Sequence, residues 1–203
     1  MGIRKMIRPA VFLDRDGVLN PTVLNPVTGR MEAPLHPHDL YLINGVIPAL
    51  QSLQSAGFPL ILVSNQPNYA LGKLSYETHR TITHKLEAQL DSAGIHFTRF
   101  CYCLHHPNGR TPGYSGQCGC RKPSPGFLLQ ARDDFGLTLE ESWMVGDQPT
   151  DTQCGHAAGA RTIRIAAELS GSGRPVQATD PCADYIARDL VEAAQIIVGG
   201  AGI

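Results

Sequence analysis

Three short apolar runs in this chain each stop at a polar residue, and segments with helical spacing separate them. Val11–Leu13 ends at Asp14, Leu60–Val63 at Ser64, and Trp143–Val145 at Gly146 and Asp147. Such short continuous runs read as buried strands whose C-terminal ends turn polar. Between the first two, Val46 to Ala56 carries Val46, Ala49, Leu50 and Leu53 on one helical face, with Gly57 as the stop. Ser75 to Ala93 repeats the pattern: Ser75 is the candidate N-cap, Ile82, Leu86 and Leu90 share a face, and Gly94 terminates. Phe97 to Tyr102 supplies a further strand. Ser124 and Pro125 then serve as N-cap and first-turn proline of a helix through Phe127, Leu128, Ala131 and Phe135, ended by Gly136. A small-residue helix from Asp151 to Gly159, a strand at Arg161 to Ile165 and a last helix from Ala183 to Val198 complete the order. Strand and helix alternate, so the expected fold is α/β: a doubly wound, Rossmann-like parallel sheet with helices on both faces.

The pattern predicts one domain over residues 1–203, with a core of about 10–166, a linker-like stretch at 170–182 and a Gly-rich tail. Lys and Arg total 17 against 18 Asp and Glu, which gives no electrostatic reason to expect a nucleic-acid or membrane-surface partner. No apolar run is long enough for a transmembrane helix, the first residues do not form a signal peptide, and Met6 stands where a myristoylation signal needs Ser or Thr. A cytoplasmic protein, acting as a monomer on a small molecule, is expected.

Two stretches are too long for ordinary connections, residues 20–44 and 103–123. Both fall after a strand, so both sit above the C-terminal edge of the sheet, where open α/β folds bind ligands. The chemistry-bearing residues gather at that edge. Asp14-Arg15-Asp16-Gly17 follows the first strand, and two carboxylates so placed can divide labour, one attacking while the other moves protons. Ser64, with Asn65 and Gln66 beside it, can donate its hydroxyl to a bound oxyanion. Lys122 lies in Cys120-Arg121-Lys122-Pro123 just before a helix, and Asp147 can join Asp14 in reaching a hard cation.

A second constellation is Cys103-Leu104-His105, twelve residues, then Cys118-Gly119-Cys120. Four soft or borderline ligands in two such pairs suit a closed tetrahedral Zn²⁺ site, with His105 preferred over His106. Zinc there would fix the backbone that aims Arg121 and Lys122. Cys101, Cys154 and Cys182 read as packing or incidental residues.

The order DRDG, SNQ, RKP and GDxxxD resembles the four signature motifs of haloacid dehalogenase superfamily phosphatases, over roughly residues 10–166. The resemblance implies a Mg²⁺-dependent phosphatase in which Asp14 is the nucleophile, Asp16 the general acid and base, and Ser64 and Lys122 hold the transferring phosphoryl group. It implies Mg²⁺ held by Asp14, by Asp16 through its backbone carbonyl, and by Asp147, with Asp151 steadying the site or capping its helix. The zinc loop is similar to that of the capless subgroup containing heptose 1,7-bisphosphate and histidinol-phosphate phosphatases. On that likeness the substrate is a small sugar phosphate. Residues 17–39, residues 66–73 and the zinc loop would choose it, with Arg15, Thr22, Asn25, Asn65, Gln66, Arg121 and Lys122 as substrate-binding residues.

Overall fold

The computed structural model describes residues 8–166 and 180–200. Six parallel strands, β1 (Val11–Leu13), β4 (Leu60–Asn65), β5 (Phe97–Cys103), β6 (Trp143–Gly146), β7 (Arg161–Ile165) and β8 (Tyr185–Ala187), form one sheet in the order β5-β4-β1-β6-β7-β8. A two-stranded antiparallel hairpin, β2 (Val23–Asn25) and β3 (Arg30–Glu32), stands apart from it. The helices are α1 (Val46–Ser55), α2 (Tyr76–Ser92), α3 (Gly126–Phe135), α4 (Pro149–Ala157) and α5 (Leu190–Gly200).

The period-2 alternation of the strands sorts the core into two layers. Val11 and Leu13 face one side with Leu60, Leu62, Val145 and Ile163, and are covered by α1, α2 and α5. Phe12 faces the other side with Ile61, Val63 and Met144, under α3 and α4. Leu50, Leu53, Ile82 and Leu86 are at most 1 % exposed. Each such side chain contributes about 1.5–3 kcal/mol by leaving water. The doubly wound architecture expected from the alternation is therefore present.

Three local expectations are revised. Pro125, not Ser124, occupies the N-cap position of α3, and the Ser124 hydroxyl donates instead to the Gly119 carbonyl at 2.7 Å. The helix expected from Asp151 starts at Pro149, with Gln148 as N-cap and Asp151 at its third position in a reciprocal capping box. The stretch read as one helix over Ala183–Val198 begins as β8. Asp184 accepts the Thr162 N–H at 2.7 Å and donates its own N–H back to the Thr162 hydroxyl at 3.0 Å, which docks the segment beside β7. Asp189 then accepts the Glu192 N–H at 2.9 Å and starts α5. Most of the stretch read as a linker at 170–182, and the end of the Gly-rich tail, lie outside the described residues. No helix among the described residues is long and apolar enough to cross a membrane.

Candidate active site

Parallel registration of β4, β1 and β6 sets the chemistry at one level. Leu13 pairs with Leu62 on one side and Val145 on the other, so Asp14, Ser64 and Asp147 emerge within one residue of the same height. The strand ends are buried: Asp14 and Asp147 are each 7 % exposed and Ser64 is 1 % exposed. The turn after Asp14 requires glycine at position 17, where φ is +85° and an added Cβ would lie 2.3 Å from Asp147 Oδ2.

Lys122 arrives from the cysteine-bearing loop at 103–123 and is 3 % exposed. Its ammonium donates to Val63 O at 2.6 Å and lies 2.9 Å from Asp14 Oδ1 and 2.8 Å from Asp151 Oδ1. Asn65 holds its backbone by a reciprocal pair, accepting the Lys122 N–H and donating to its carbonyl, both at 3.0 Å. Asn65 thus joins the end of β4 to the loop that carries the cation. Burial alone would lower the Lys122 pKa, but the carboxylates of Asp14 and Asp151 outweigh it and hold the amine well above its ordinary range.

Asp14, Asp147 and Asp151 offer carboxylate oxygens within 4.8 Å of one another. Burial, against the pull of Lys122 and with the repulsion of Asp151 and Asp16, pushes the Asp14 carboxyl up to about 6. Burial together with Asp14 and Asp151 pushes Asp147 up to about 8. Gln148 donates to Asp147 Oδ2 at 2.7 Å, while Asp147 Oδ1 is buried without a partner. An unsatisfied oxygen among crowded carboxylates fits a hard divalent cation with oxygen ligands. Asp151 does both things considered for it: its Oδ2 accepts the Gln148 N–H at 2.9 Å and its Oδ1 pairs with Lys122.

The sign of the pH effect follows from these shifts. Both carboxyls bind protons more tightly folded than unfolded. Their contribution to stability is complete below the ordinary value of 3.8 and is lost as pH rises through about 6 for Asp14 and about 8 for Asp147. The metal-free protein is expected to melt lower at about pH 8.5 than at about pH 5, and Mg²⁺ to narrow that gap. Thermal denaturation with and without Mg²⁺ checks this; a Mg²⁺ effect no larger at the higher pH would contradict it.

The carboxylate of Asp16 lies outside that trio. Its Oδ1 accepts from Arg15 Nε and Nη2 at 3.2 and 3.1 Å and from Asn20 Nδ2 at 2.9 Å, and its Oδ2 accepts from Gln66 Nε2. Arg15 is 0 % exposed and Gln66 4 % exposed, so both support Asp16 from behind and neither is placed to touch a substrate. His79 of α2 packs behind them, its pKa lowered to about 4 by burial and by the Arg15 charge.

A cleft of about 390 Å³ opens above Asp14 and Lys122. Thr22, Asn65 and Arg121 line it as expected, and all three expected loops contribute walls. Asn25 does not line it. Its side chain instead accepts the Val27 and Thr28 N–H groups at 2.9 and 3.3 Å and donates to Glu32, closing the β2–β3 turn. Arg30, Glu32 and Lys73 line the cleft without having been singled out by sequence; Lys73 pairs with Glu32 at 2.6 Å and braces the hairpin. Their only signal was membership of the two expected substrate loops.

Cys103, Cys118 and Cys120 place their sulfurs 3.3–3.6 Å apart, and His105 Nδ1 lies 3.9 Å from Cys103 and 3.8 Å from Cys120. Zn–S bonds of about 2.3 Å give a tetrahedral edge of about 3.8 Å, so the four groups fit zinc. His106 instead accepts the Asn108 N–H at 3.1 Å and stays outside the cluster. Arg121 donates to His105 O at 3.2 Å, tying the cleft cation to the cysteine loop. Cys101 and Cys154 are packing residues of the second core layer.

This fold and this site together define a phosphatase of the HAD-like class, and the HAD-hydrolase-like family model matches residues 119–193. The chain is 39% identical over 172 residues to the D-glycero-beta-D-manno-heptose-1,7-bisphosphate 7-phosphatase of Vibrio cholerae, covering 84% of this chain and 86% of that protein. It is 34% identical over 191 residues to the enzyme of the same name from Escherichia coli K12, covering 93% of each. The chain belongs to the family of these heptose bisphosphate phosphatases. A crystal structure of D,D-heptose 1,7-bisphosphate phosphatase from B. bronchiseptica, complexed with magnesium and phosphate, shares the fold. Its TM-score is 0.73 at 24% identity, over 95% of this chain and 99% of that one.

Proposed function

We propose that this chain removes the 7-phosphate from D-glycero-D-manno-heptose 1,7-bisphosphate, leaving heptose 1-phosphate, through an aspartyl-phosphate on Asp14 and with Mg²⁺ as cofactor. The observation that carries the reading is the Lys122 ammonium 2.9 Å from Asp14 Oδ1, at the floor of a cleft whose carboxylate trio suits a cation. The names of relatives covering most of the chain support the substrate.

At pH 7 Asp14, with its pKa at about 6, is mostly ionised and needs no activating base. Lys122 offsets the repulsion between that carboxylate and an incoming phosphate, and holds Asp14 in one orientation. Asp14, Asp147 and the backbone carbonyl of Asp16 would hold the Mg²⁺, with Asp151 steadying Lys122. When bound, the ion adds charge neutralisation at the phosphoryl oxygens. Ser64 is 1 % exposed and lies beneath the cleft lining; it accepts from Gln66 at 2.9 Å, so its hydroxyl proton is what it would offer a phosphoryl oxygen seated at the strand ends. Asp16 protonates the departing sugar oxygen, then takes a proton from the water that opens the phosphoenzyme. Arg30 and Arg121 put positive charge on the cleft walls, which suits a substrate carrying a second phosphate. The chain is read as one monomeric cytoplasmic enzyme with no nucleic-acid or membrane partner.

Steady-state kinetics with the heptose bisphosphate and with histidinol phosphate test the substrate. The expected kcat/KM ratio is about 10–100-fold in favour of the bisphosphate, the size of the ~1.5–3 kcal/mol that hydrogen bonds to a charged group contribute. A preference for histidinol phosphate overturns the assignment.

Zinc is proposed at Cys103, His105, Cys118 and Cys120. Stripping it with a chelator, or replacing Cys118 with Ser, should lower kcat/KM by about 10–100-fold through loss of the backbone that aims Arg121 and Lys122. Metal analysis read beside activity checks it: full activity in zinc-free protein would remove zinc from the account.

A further inference from the structure

We propose that Arg15 and Gln66 are positioning residues that aim the Asp16 carboxyl group at the leaving-group oxygen, an inference that rests on the phosphatase reading above. Arg15 follows the nucleophile directly, yet its side chain is fully buried and turned away from the cleft. Its Nε and Nη2 converge on a single oxygen, Oδ1 of Asp16, and Nη2 also donates to Gln66 Oε1 at 2.8 Å. Gln66 passes the link on, its Nε2 donating to Asp16 Oδ2 and to Ser64 Oγ at 2.9 Å. The Asp16 side chain is 13 % exposed and lines the cleft, so it is gripped from the protein side and presented on the other.

This grip divides the two oxygens. Arg15 and Asn20 put three donors on Oδ1 and Gln66 puts one on Oδ2, so Oδ2 keeps the lone pair that proton transfer needs. Gln66 fixes the rotation of that oxygen and ties it to Ser64, so the acid and the phosphoryl-holding hydroxyl are set relative to each other. Arg15 is itself immobilised. Its carbonyl accepts the Leu19 and Asn20 N–H groups at 2.8 and 3.1 Å. Asp16 is the carboxylate its guanidinium bonds, and Nη1 is buried without a partner among the described residues. A buried guanidinium is costly unless paired, which makes this contact strong and directional.

In the first step an Asp14 carboxylate oxygen bonds to phosphorus as the bridging bond from phosphorus to the sugar oxygen breaks, and Asp16 gives its proton to that oxygen, releasing an alcohol. In the second, water oxygen bonds to phosphorus, Asp16 takes the water proton, and the Asp14–phosphorus bond breaks to release phosphate. Misdirecting Asp16 therefore slows departure of a strongly basic alkoxide and matters little for a weakly basic nitrophenolate.

Single-turnover kinetics with excess enzyme, comparing a hexose 6-phosphate with 4-nitrophenyl phosphate, read this difference in Arg15→Met and Gln66→Met. Alcohol release should slow by about 10–100-fold, within the ~10²–10⁴ that general acid–base catalysis supplies, and nitrophenolate release by less than about threefold. Arg15→Lys should recover part of the loss, because it keeps the charge without the two-bond grip. Asp16→Asn is the reference. Leaving-group selectivity in Asp16→Asn but equal slowing of both substrates in the other variants overturns the positioning role and leaves the phosphatase reading intact. No selectivity even in Asp16→Asn overturns Asp16 as the acid, and the positioning role with it. Loss of all phosphate release from the parent protein is what would overturn the phosphatase reading. Should Arg15→Met fail to fold by circular dichroism, Gln66→Met decides by the same criterion.

Discussion

Asparagine at position 14 is expected to end phosphate release, lowering kcat by about 10⁴-fold or more, the scale seen when a nucleophile is removed. An amide oxygen carries no full charge and forms no stable bond to phosphorus. The fold should survive, because Lys122 keeps Asp151 at 2.8 Å and one of three crowded carboxylates is gone. The repulsion from Asp14 that helps hold Asp147 at about 8 also disappears, so the Asp147 carboxyl should titrate lower. Release of phosphate from an aryl phosphate, with acid-quenched protein assayed for bound label, measures both halves. Turnover within about tenfold of the parent would place the nucleophile elsewhere.

Lys122→Met should be nearly as damaging to activity and far worse for the fold. The lysine is 3 % exposed and is the one ammonium between two buried carboxylates, so its loss leaves Asp14 and Asp151 uncompensated. Breaking a buried pair by deleting one partner costs about 3–5 kcal/mol. The cost should grow with pH, since protonated Asp14 needs no partner and its carboxyl titrates at about 6 even with the lysine present. Activity should fall by about 10²–10³-fold, as for removal of one donor aimed at developing charge. Denaturation midpoints at about pH 5 and about pH 8, with kcat beside them, are the measurement. An unchanged midpoint at the higher pH would mean that solvent reaches the carboxylates after all.

The features legible in the sequence were those written locally. Strands buried on both faces appear as unbroken apolar runs, so β1, β4 and β6 announced themselves, and the residues just past their ends were the chemical ones. The cysteine cluster was legible because its three cysteines and one histidine lie within eighteen positions, from Cys103 to Cys120. What escaped depends on distant partners. The β2–β3 hairpin has little apolar patterning, and is closed by Asn25 and braced by Lys73, forty-one residues from Glu32. β8 exists because Thr162 and Asp184 exchange hydrogen bonds, a pairing that no window around Tyr185 contains. Arg15 and Gln66 read as substrate contacts because they adjoin the proposed catalytic positions; only the packing reveals that their side chains point inward.

The hairpin at residues 23–32 has one more implication. It touches the cleft but contributes nothing to the level at which β4, β1 and β6 deliver Asp14, Ser64 and Asp147. The hairpin's share of the cleft wall is therefore set apart from the strand ends that carry Asp14, Ser64 and Asp147, whereas Arg121 on the wall shares its loop with Lys122. Changes within the hairpin reshape that wall without passing through the strand ends.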